Sequence, residues 1–200
     1  MVINSHLAEL TGAIMGDGNI WTNNRSYEIV ITGDVVKDRD YFFYLTEMLY
    51  EFDTIPRIRI RGSLRLIVRS KRFFELITQE LRIPWGANKA ESGAPKEILN
   101  NRTAMCCFIR GVFDTDGTIF ISKKPGESQY PSLEITNANR LLVEEITAFL
   151  EKEGYSPRVR FFRGIYKIAL YGRYKIKKWY SQIGSSNNTK LAKFTYILNK

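Results

Sequence analysis

Apolar positions along this chain follow two spacings, one of two residues and one near 3.6, and the spacings alternate in the same order twice. Ile58 and Ile60 alternate with Arg57, Arg59 and Arg61, and the next run sets Leu64, Leu66 and Val68 against Arg65, Ile67 and Arg69. In the second half, Val159 and Phe161 alternate with Arg158 and Arg160, and Ile168 and Leu170 with Lys167 and Tyr171. Period two predicts strands in which one face packs on helices and the other carries the charge. Turns are expected at Gly62-Ser63 and around Arg163-Gly164. Phe42, Leu45, Leu49 and Phe52 fall at helical spacing, as do Leu142, Ile146, Phe149 and Leu150. A closing helix follows each strand pair, marked by Phe73, Ile77 and Leu81, then by Ile176, Tyr180 and Ile183.

The repetition extends to single residues. Pro56 and Pro157 are 101 positions apart, and Asp17 and Asp116 are 99 apart. "YEIVITGD" (27–34) answers "SLEITNAN" (132–139), and "GANK" (86–89) answers "NNTK" (187–190). One long period occurring twice predicts a duplicated domain. The expected fold is α+β: two αββαββα units, residues 1–89 and 102–200, related by a pseudo-twofold axis and each carrying an antiparallel β-sheet. The polar stretch 90–101, with Gly93 and Pro95, is the expected linker.

Each unit opens on a small-residue apolar segment that ends in Asp-Gly: "LTGAIMGDG" (10–18) and "IRGVFDTDG" (109–117). Gly12 and Gly16 are four apart on one helical face, as are Gly111 and Thr115, so the two helix backbones can approach closely. Packed that way, Asp17 and Asp116 meet at two helix C-termini, each with about half a negative charge. Such a cluster repels itself until a cation fills it, and hard oxygen ligands suit Mg²⁺. Gly18 and Gly117 are expected as the C′ residues that stop the helices. Either Asp-Gly alone is an ordinary turn signal; two copies in register with a whole-domain repeat favour the paired reading.

Charge adds a partner. Residues 1–100 hold thirteen basic and thirteen acidic side chains and residues 101–200 hold seventeen and eight, so the net charge of +9 lies in the second half. Arginine-rich strand faces repel themselves unless an anion lies on them, and arginine binds phosphate and guanine bidentately. Nucleic acid is the expected partner. The adjacent Cys106 and Cys107 suit an intracellular reducing context, with organelle or cytoplasm left open. No apolar run approaches a membrane span and no basic-then-apolar leader opens the chain. His6 is the sole histidine and is expected at the surface or as a cap, which excludes histidine-rich nuclease motifs. No P-loop, dinucleotide fingerprint or nucleophile elbow is present.

The two Asp-Gly segments, the αββαββα order, the basic strand faces and the short linker together resemble the single-chain, two-motif LAGLIDADG homing endonucleases over nearly the whole chain. Met15 stands where the first acidic letter of the motif is expected, and Arg110 where a small residue is usual. The resemblance implies that Gly12, Gly16, Gly111 and Thr115 form the interface between the halves and that the two sheets form a saddle on DNA. It makes Asp17 and Asp116 catalytic metal ligands, with the Gly16 and Thr115 carbonyls as further ligands, and Lys89 and Lys190 catalytic basic residues. A water-organising amide position falls at Gly33 and Asn137, which implies unequal cutting of the two strands. Implied DNA contacts are Trp21, Asn23, Asn24 and Arg25 in one hairpin loop and Ser122, Lys123, Lys124 and Gln129 in the other. On the sheets they are Arg57, Arg59, Arg61, Arg65, Arg69, Asn137, Arg158, Arg160, Lys167 and Arg173. The implied activity is site-specific double-strand cleavage of a long asymmetric DNA target by a monomer. The implied cofactor is Mg²⁺ or another divalent cation such as Mn²⁺, with Ca²⁺ binding but not supporting efficient cleavage. A free-standing intron-encoded enzyme is expected rather than an intein. The alternatives on the same scaffold are an RNA-splicing maturase, which would add host intron RNA as a partner, and a non-catalytic DNA-binding regulator.

Overall fold

The computed structural model describes residues 3–23, 25–124 and 126–199. The first half runs α1 (Ser5–Met15), β1 (Gly18–Thr22), β2 (Tyr27–Gly33), α2 (Arg39–Tyr50), β3 (Arg57–Arg61), β4 (Ser63–Val68) and α3 (Lys71–Glu75), which continues into a π-helical turn at Leu76–Glu80. A 3-10 helix (Gly86–Glu91) and the short α4 (Lys96–Leu99) lead to the second half. That half repeats the order as α5 (Arg102–Asp116), β5 (Gly117–Lys124), β6 (Glu127–Asn137), α6 (Arg140–Lys152), β7 (Arg158–Phe162), β8 (Ile165–Tyr171) and α7 (Arg173–Gln182), and adds α8 (Asn188–Leu198). The strand orders are β1-β2-β4-β3 and β5-β6-β8-β7, both antiparallel. This is the expected duplicated α+β architecture.

Asparagine begins four of the helices. Asn4, Asn101, Asn139 and Asn187 each accept a hydrogen bond from a backbone N–H of the first turn of α1, α5, α6 and α8, which satisfies donors the helix cannot. The two-residue turn at Arg163-Gly164 has φ of 50° and 80°, the pairing that matches the twist of a tight hairpin. The stretch expected as a polar linker is docked: Ile98 of α4 is fully buried, and the Ala94 N–H donates to Glu145 of α6 at 2.6 Å.

Three expectations about packing change. The core position of α7 is Trp179, fully buried and edge-on to Phe113, while Tyr180 is 43% exposed. A helix turns 100° per residue, so one position moves a side chain off the core face. The apolar rows of β3 and β7 are not covered by helices: Ile60 is 66% exposed and Phe161 61%. These are edge strands reaching past the helical layer. Gly18 and Gly117 do not close helices with left-handed backbone; Gly117 is extended, with φ −100°. What they require is space, because a Cβ on Gly18 would lie 2.4 Å from the Ile14 carbonyl oxygen and one on Gly117 2.1 Å from the Phe113 ring.

Candidate active site and nucleic-acid interface

Helices α1 and α5 make the most extensive contact between the halves, and glycine permits it. A Cβ on Gly12 would lie 2.0 Å from the Phe108 carbonyl oxygen, and one on Gly111 2.1 Å from the Glu9 carbonyl oxygen. Gly16 faces Thr115, whose Oγ1 would sit 2.1 Å from such an atom. All four expected interface residues therefore lie at the crossing. Arg110 uses the interface differently from a small residue: it donates to the Ile183 carbonyl at 2.6 Å and to the buried Glu9 carboxylate at 3.1 Å. Its guanidinium partly offsets the burial that raises the Glu9 pKa.

The crossing delivers Asp17 and Asp116 to one place: a Cβ on Gly16, the residue before Asp17, would lie 3.3 Å from Asp116 Oδ2, and each carboxyl shifts the other. Burial, with the neighbouring Asp17 charge, pushes the Asp116 carboxyl up to about 7. Lost hydration raises Asp17 as well. Two groups that disfavour charge in each other's presence share a proton as a pair. Among the described residues no cluster of three or more His, Cys, Asp or Glu side chains is arranged as a metal site. The donor set nevertheless fits a hard cation of the Mg²⁺ type, which is held by one or two carboxylates and completed by water and substrate phosphate. The Gly16 carbonyl, an expected ligand, is shared with Lys89, whose Nζ lies 3.3 Å away.

Both lysines close over helix ends. Lys89 Nζ donates to the Ile14 carbonyl at 2.8 Å and also to that of Gly18. Lys190 Nζ donates to the carbonyls of Phe113 and Asp114 at 2.6 and 2.8 Å. Ile14 and Phe113 are equivalent by the repeat, so one geometry occurs twice. Burial lowers the pKa of Lys89 to about 8 against the opposing pull of Asp116 and Asp17, and burial lowers that of Lys190 against four aspartates. A cavity of about 310 Å³ opens between Lys89, Asp116 and Asn137. One half-site thus combines Lys89 of the first half with Asp116 of the second.

Residues around these four differ between the half-sites. Asn137, expected among the DNA contacts, is committed to the acidic pair: its Nδ2 donates to Asp116 at 2.5 Å and its Oδ1 accepts from the Asn139 N–H at 2.8 Å. Its strand parity explains this, since Asn137 shares the inward face of β6 with Leu133 and Ile135. The equivalent Gly33 has no room for a side chain; a Cβ there would lie 2.9 Å from both Asp38 Oδ2 and the Phe42 ring. Asp114 is a further acidic residue of the site, which neither the repeat nor the strand spacing marks. It is buried, accepts from Ser185 Oγ and from the Ser186 and Asn187 N–H groups at 2.6 and 3.2 Å, and is pushed up to about 7 by burial. The buried acid at this position of only one motif was the available signal.

The outward face of the first sheet carries Trp21, 45% exposed, with Arg57, Arg59, Arg61 and Arg65 on paired strands. That of the second carries Ser122, Lys124, Arg158, Arg160 and Lys167, and the exposed Lys123 sits at a bulge beside them. The lattice is not uniformly positive: Arg69 pairs with Glu28 and Lys167 with Glu134, each at 2.7 Å. Tyr130 and Tyr171 stack nearly parallel on this face, with Lys124 4.6 Å and Arg158 5.8 Å from their respective rings. With Ser122, Arg160 and Lys175 they line a cavity of about 490 Å³. Ser122 Oγ is engaged with Ser132 Oγ at 2.8 Å. In the first hairpin, Asn23 Oδ1 accepts from the Arg25 and Ser26 N–H groups and so shapes the turn, leaving Arg25 exposed. Asn24 lies outside the described residues, and Gln129 is exposed on β6. Arg173 is not on a sheet. It begins α7 and donates to the Ile197 and Leu198 carbonyls at 3.1 and 3.3 Å, capping the end of α8.

Residues 104–184 match the family described as LAGLIDADG-like domain. With both Asp-Gly helices in place, the chain has the duplicated fold of the two-motif LAGLIDADG proteins. Its structure is similar to that of the homing endonuclease I-DmoI in complex with DNA and Ca (TM-score 0.69, 20% identity, 98% of each chain). It is similar also to full-length DUF199/WhiA from Thermatoga maritima (TM-score 0.66, 14% identity, 98% of this chain and 60% of that one). In sequence it is 28% identical over 160 residues to the Uncharacterized protein MJ0314 of Methanocaldococcus jannaschii, covering 74% of this chain and 54% of that protein. It is 25% identical over 199 residues to the replication factor C small subunit of Thermococcus kodakarensis, covering 97% of this chain and 21% of that protein. The chain therefore spans about half of the first relative and about a fifth of the second.

Proposed function

We propose that this chain is a homing-type endonuclease that, as a monomer, binds a long asymmetric double-stranded DNA site and hydrolyses one phosphodiester on each strand. The observation that carries the reading is the convergence of Asp17 and Asp116 at two closely packed helix C-termini, where burial raises both carboxyls above their ordinary range. A protein that only bound DNA would gain nothing from an acidic, self-repelling pocket between two basic faces. The complexes of I-DmoI with DNA and Mn, and with DNA and Ca, support a divalent cation as cofactor; here Mg²⁺ or Mn²⁺ would be held by the two carboxylates. Bound there, the ion would supply Lewis-acid stabilisation of the scissile phosphate and an activated water.

The chain's own groups orient and neutralise. Asn137 fixes the rotamer of Asp116 through its 2.5 Å hydrogen bond. Lys89 and Lys190, held at the helix ends, place positive charge where negative charge grows on the phosphate. The strand arginines and the tyrosine platform of the second sheet divide between base edges and phosphates. Because only one half-site has an amide at the carboxylate, the two strands are cut at unequal rates. A time course in which nicked and linear plasmid arise with one shared rate constant refutes that asymmetry.

The test of the whole reading is Mg²⁺-dependent cleavage of a plasmid library by wild type, Asp17→Asn and Asp116→Asn. Cutting by wild type and not by either variant is expected. Undiminished cutting by a variant removes the site assignment. Tight DNA binding without cutting by wild type favours a regulator on this fold, and specific binding of intron RNA favours a maturase.

A further inference from the structure

The lysines of the two half-sites are each held by the opposite half of the molecule. The 3-10 helix that carries Lys89 is tied to α6, where Asn139 Nδ2 donates to the Lys89 carbonyl at 3.2 Å and to that of Ser92 at 2.6 Å. The start of α8, which carries Lys190, is tied to the loop before α2. Asn187 Nδ2 donates to Asp38 Oδ1 at 2.8 Å, and Thr189 Oγ1 donates to the Lys37 carbonyl at 2.7 Å. Asp38 and Asn139 precede equivalent helices, so the tie is part of the repeat. Asp38 does not cap α2 with its side chain. Instead Oδ2 accepts from the Asp34 N–H at 2.7 Å and fills the space beside Gly33, while Oδ1 reaches across the interface. Asn187 passes the constraint on: its Oδ1 accepts from the Thr189 and Lys190 N–H groups at 3.0 and 3.4 Å.

Resting on the endonuclease reading above, we infer that Asp38 is a positioning residue for Lys190, acting through Asn187, so that the first half sets the geometry of the lysine in the second. Removing the carboxylate frees Asn187 Nδ2 and loosens the first turn of α8, and a misplacement near 1 Å at a reacting centre can lower a rate about 100-fold. The effect belongs to one strand, because Lys89 is held by a separate tie.

The test is strand-resolved, single-turnover cleavage of end-labelled target DNA by the full chain, with DNA affinity measured separately in Ca²⁺. Asp38→Ala is expected to slow the strand that Lys190→Met slows, by about 10- to 100-fold, and to leave the other strand and the affinity within about twofold. The double variant should lose no more than Lys190→Met alone. The exchange Asp38→Asn with Asn187→Asp restores every hydrogen bond with donor and acceptor swapped, and it should recover most of the rate. Equal slowing of both strands, no slowing, or additive losses in the double variant overturns the inference. So does failure of the exchange to recover the rate. If wild type does not cut at all, the endonuclease reading falls first and this inference with it.

Discussion

Replacing Asp116 with asparagine should abolish cutting and, without metal, make the protein more stable. The carboxyl is raised from its ordinary 3.8 to about 7, which corresponds to about 4 kcal/mol at 1.36 kcal/mol per pH unit. The shift belongs to the Asp17–Asp116 pair, so Asp116 alone accounts for about half of it, about 2 kcal/mol at pH 8, where both carboxyls are ionised. The amide keeps an oxygen for Asn137, whose Nδ2 now donates at 2.5 Å, and offers an N–H to Asp17. No buried donor or acceptor is therefore stranded.

The sign follows from proton uptake. The folded carboxyl has the higher pKa, so the folded state binds more protons between pH 4 and 7, and wild-type stability falls as pH rises through that window. Below about pH 4 both states hold the proton and the penalty is absent; by pH 8 it is complete. Thermal unfolding in a chelator at pH 8 should place Asp116→Asn about 4–8 °C above wild type, at about 2–4 °C per kcal/mol for a chain of this length. At pH 5.5 the gap should shrink by about half. Added Mg²⁺ should raise wild type and not the variant, because only the ion-binding state is stabilised by mass action. A variant less stable than wild type in chelator at pH 8, or a gap independent of pH, refutes the strained-pair reasoning.

Other consequences are equally direct. Gly111→Ala would place a methyl 2.1 Å from the Glu9 carbonyl oxygen; with backbone on the other side there is nothing flexible to yield, so a loss of about 1–3 kcal/mol or more is expected in urea unfolding. A variant as stable as wild type shows that the helices are not held at this distance. Arg158→Ala should lower the slope of log affinity against log salt by about 1 on any DNA if it meets a phosphate. Lys167→Ala should change it less, because Glu134 at 2.7 Å already balances that charge. Equal changes in the two slopes refute the ranking.

Periodicity carried the fold because the strands other than the exposed edges β3 and β7 have one side that must be dry, and the duplicated order doubled each signal. The pair Asp17 and Asp116 was legible for the same reason: small residues four apart announce a helix crossing, and an acid just beyond them has nowhere else to go. Single-strand spacing could not reveal which outward charges find partners. Arg69 and Lys167 meet Glu28 and Glu134 from a neighbouring strand, and cross-strand pairing depends on register. Arg173 lies two residues beyond the strand its spacing suggests: Tyr171 ends β8, Gly172 turns at φ 93°, and Arg173 already belongs to the next helix. Asp38, Asn139 and Asn187 are unremarkable helix-start residues in sequence. Their second hydrogen bonds run between segments 47 to 149 residues apart, a relation that no local pattern encodes.

The tightness of the helix crossing decides where any difference between the strands must come from. With Gly12 and Gly111 both seated against backbone of the opposite helix, the halves cannot tilt to favour one phosphate. Asymmetry then lies in local groups, and the clearest is Asn137 opposite Gly33. The exchange is possible in one direction only. Asn137→Gly removes a side chain beside a cavity of about 310 Å³ and frees the Asp116 carboxylate to rotate. It should slow the strand served by Lys89 and Asp116 by about 10-fold, as expected for losing one orienting hydrogen bond to a charged group, and leave the other strand unchanged. Gly33→Asn cannot donate the amide to the other half-site, because Asp38 Oδ2 and the Phe42 ring lie 2.9 Å from its Cβ position. It should lower stability by about 1–3 kcal/mol without speeding its strand. Strand-resolved rates beside unfolding curves measure both. A faster strand in Gly33→Asn, or equal slowing of both strands in Asn137→Gly, would mean that the difference is transmitted through the interface after all.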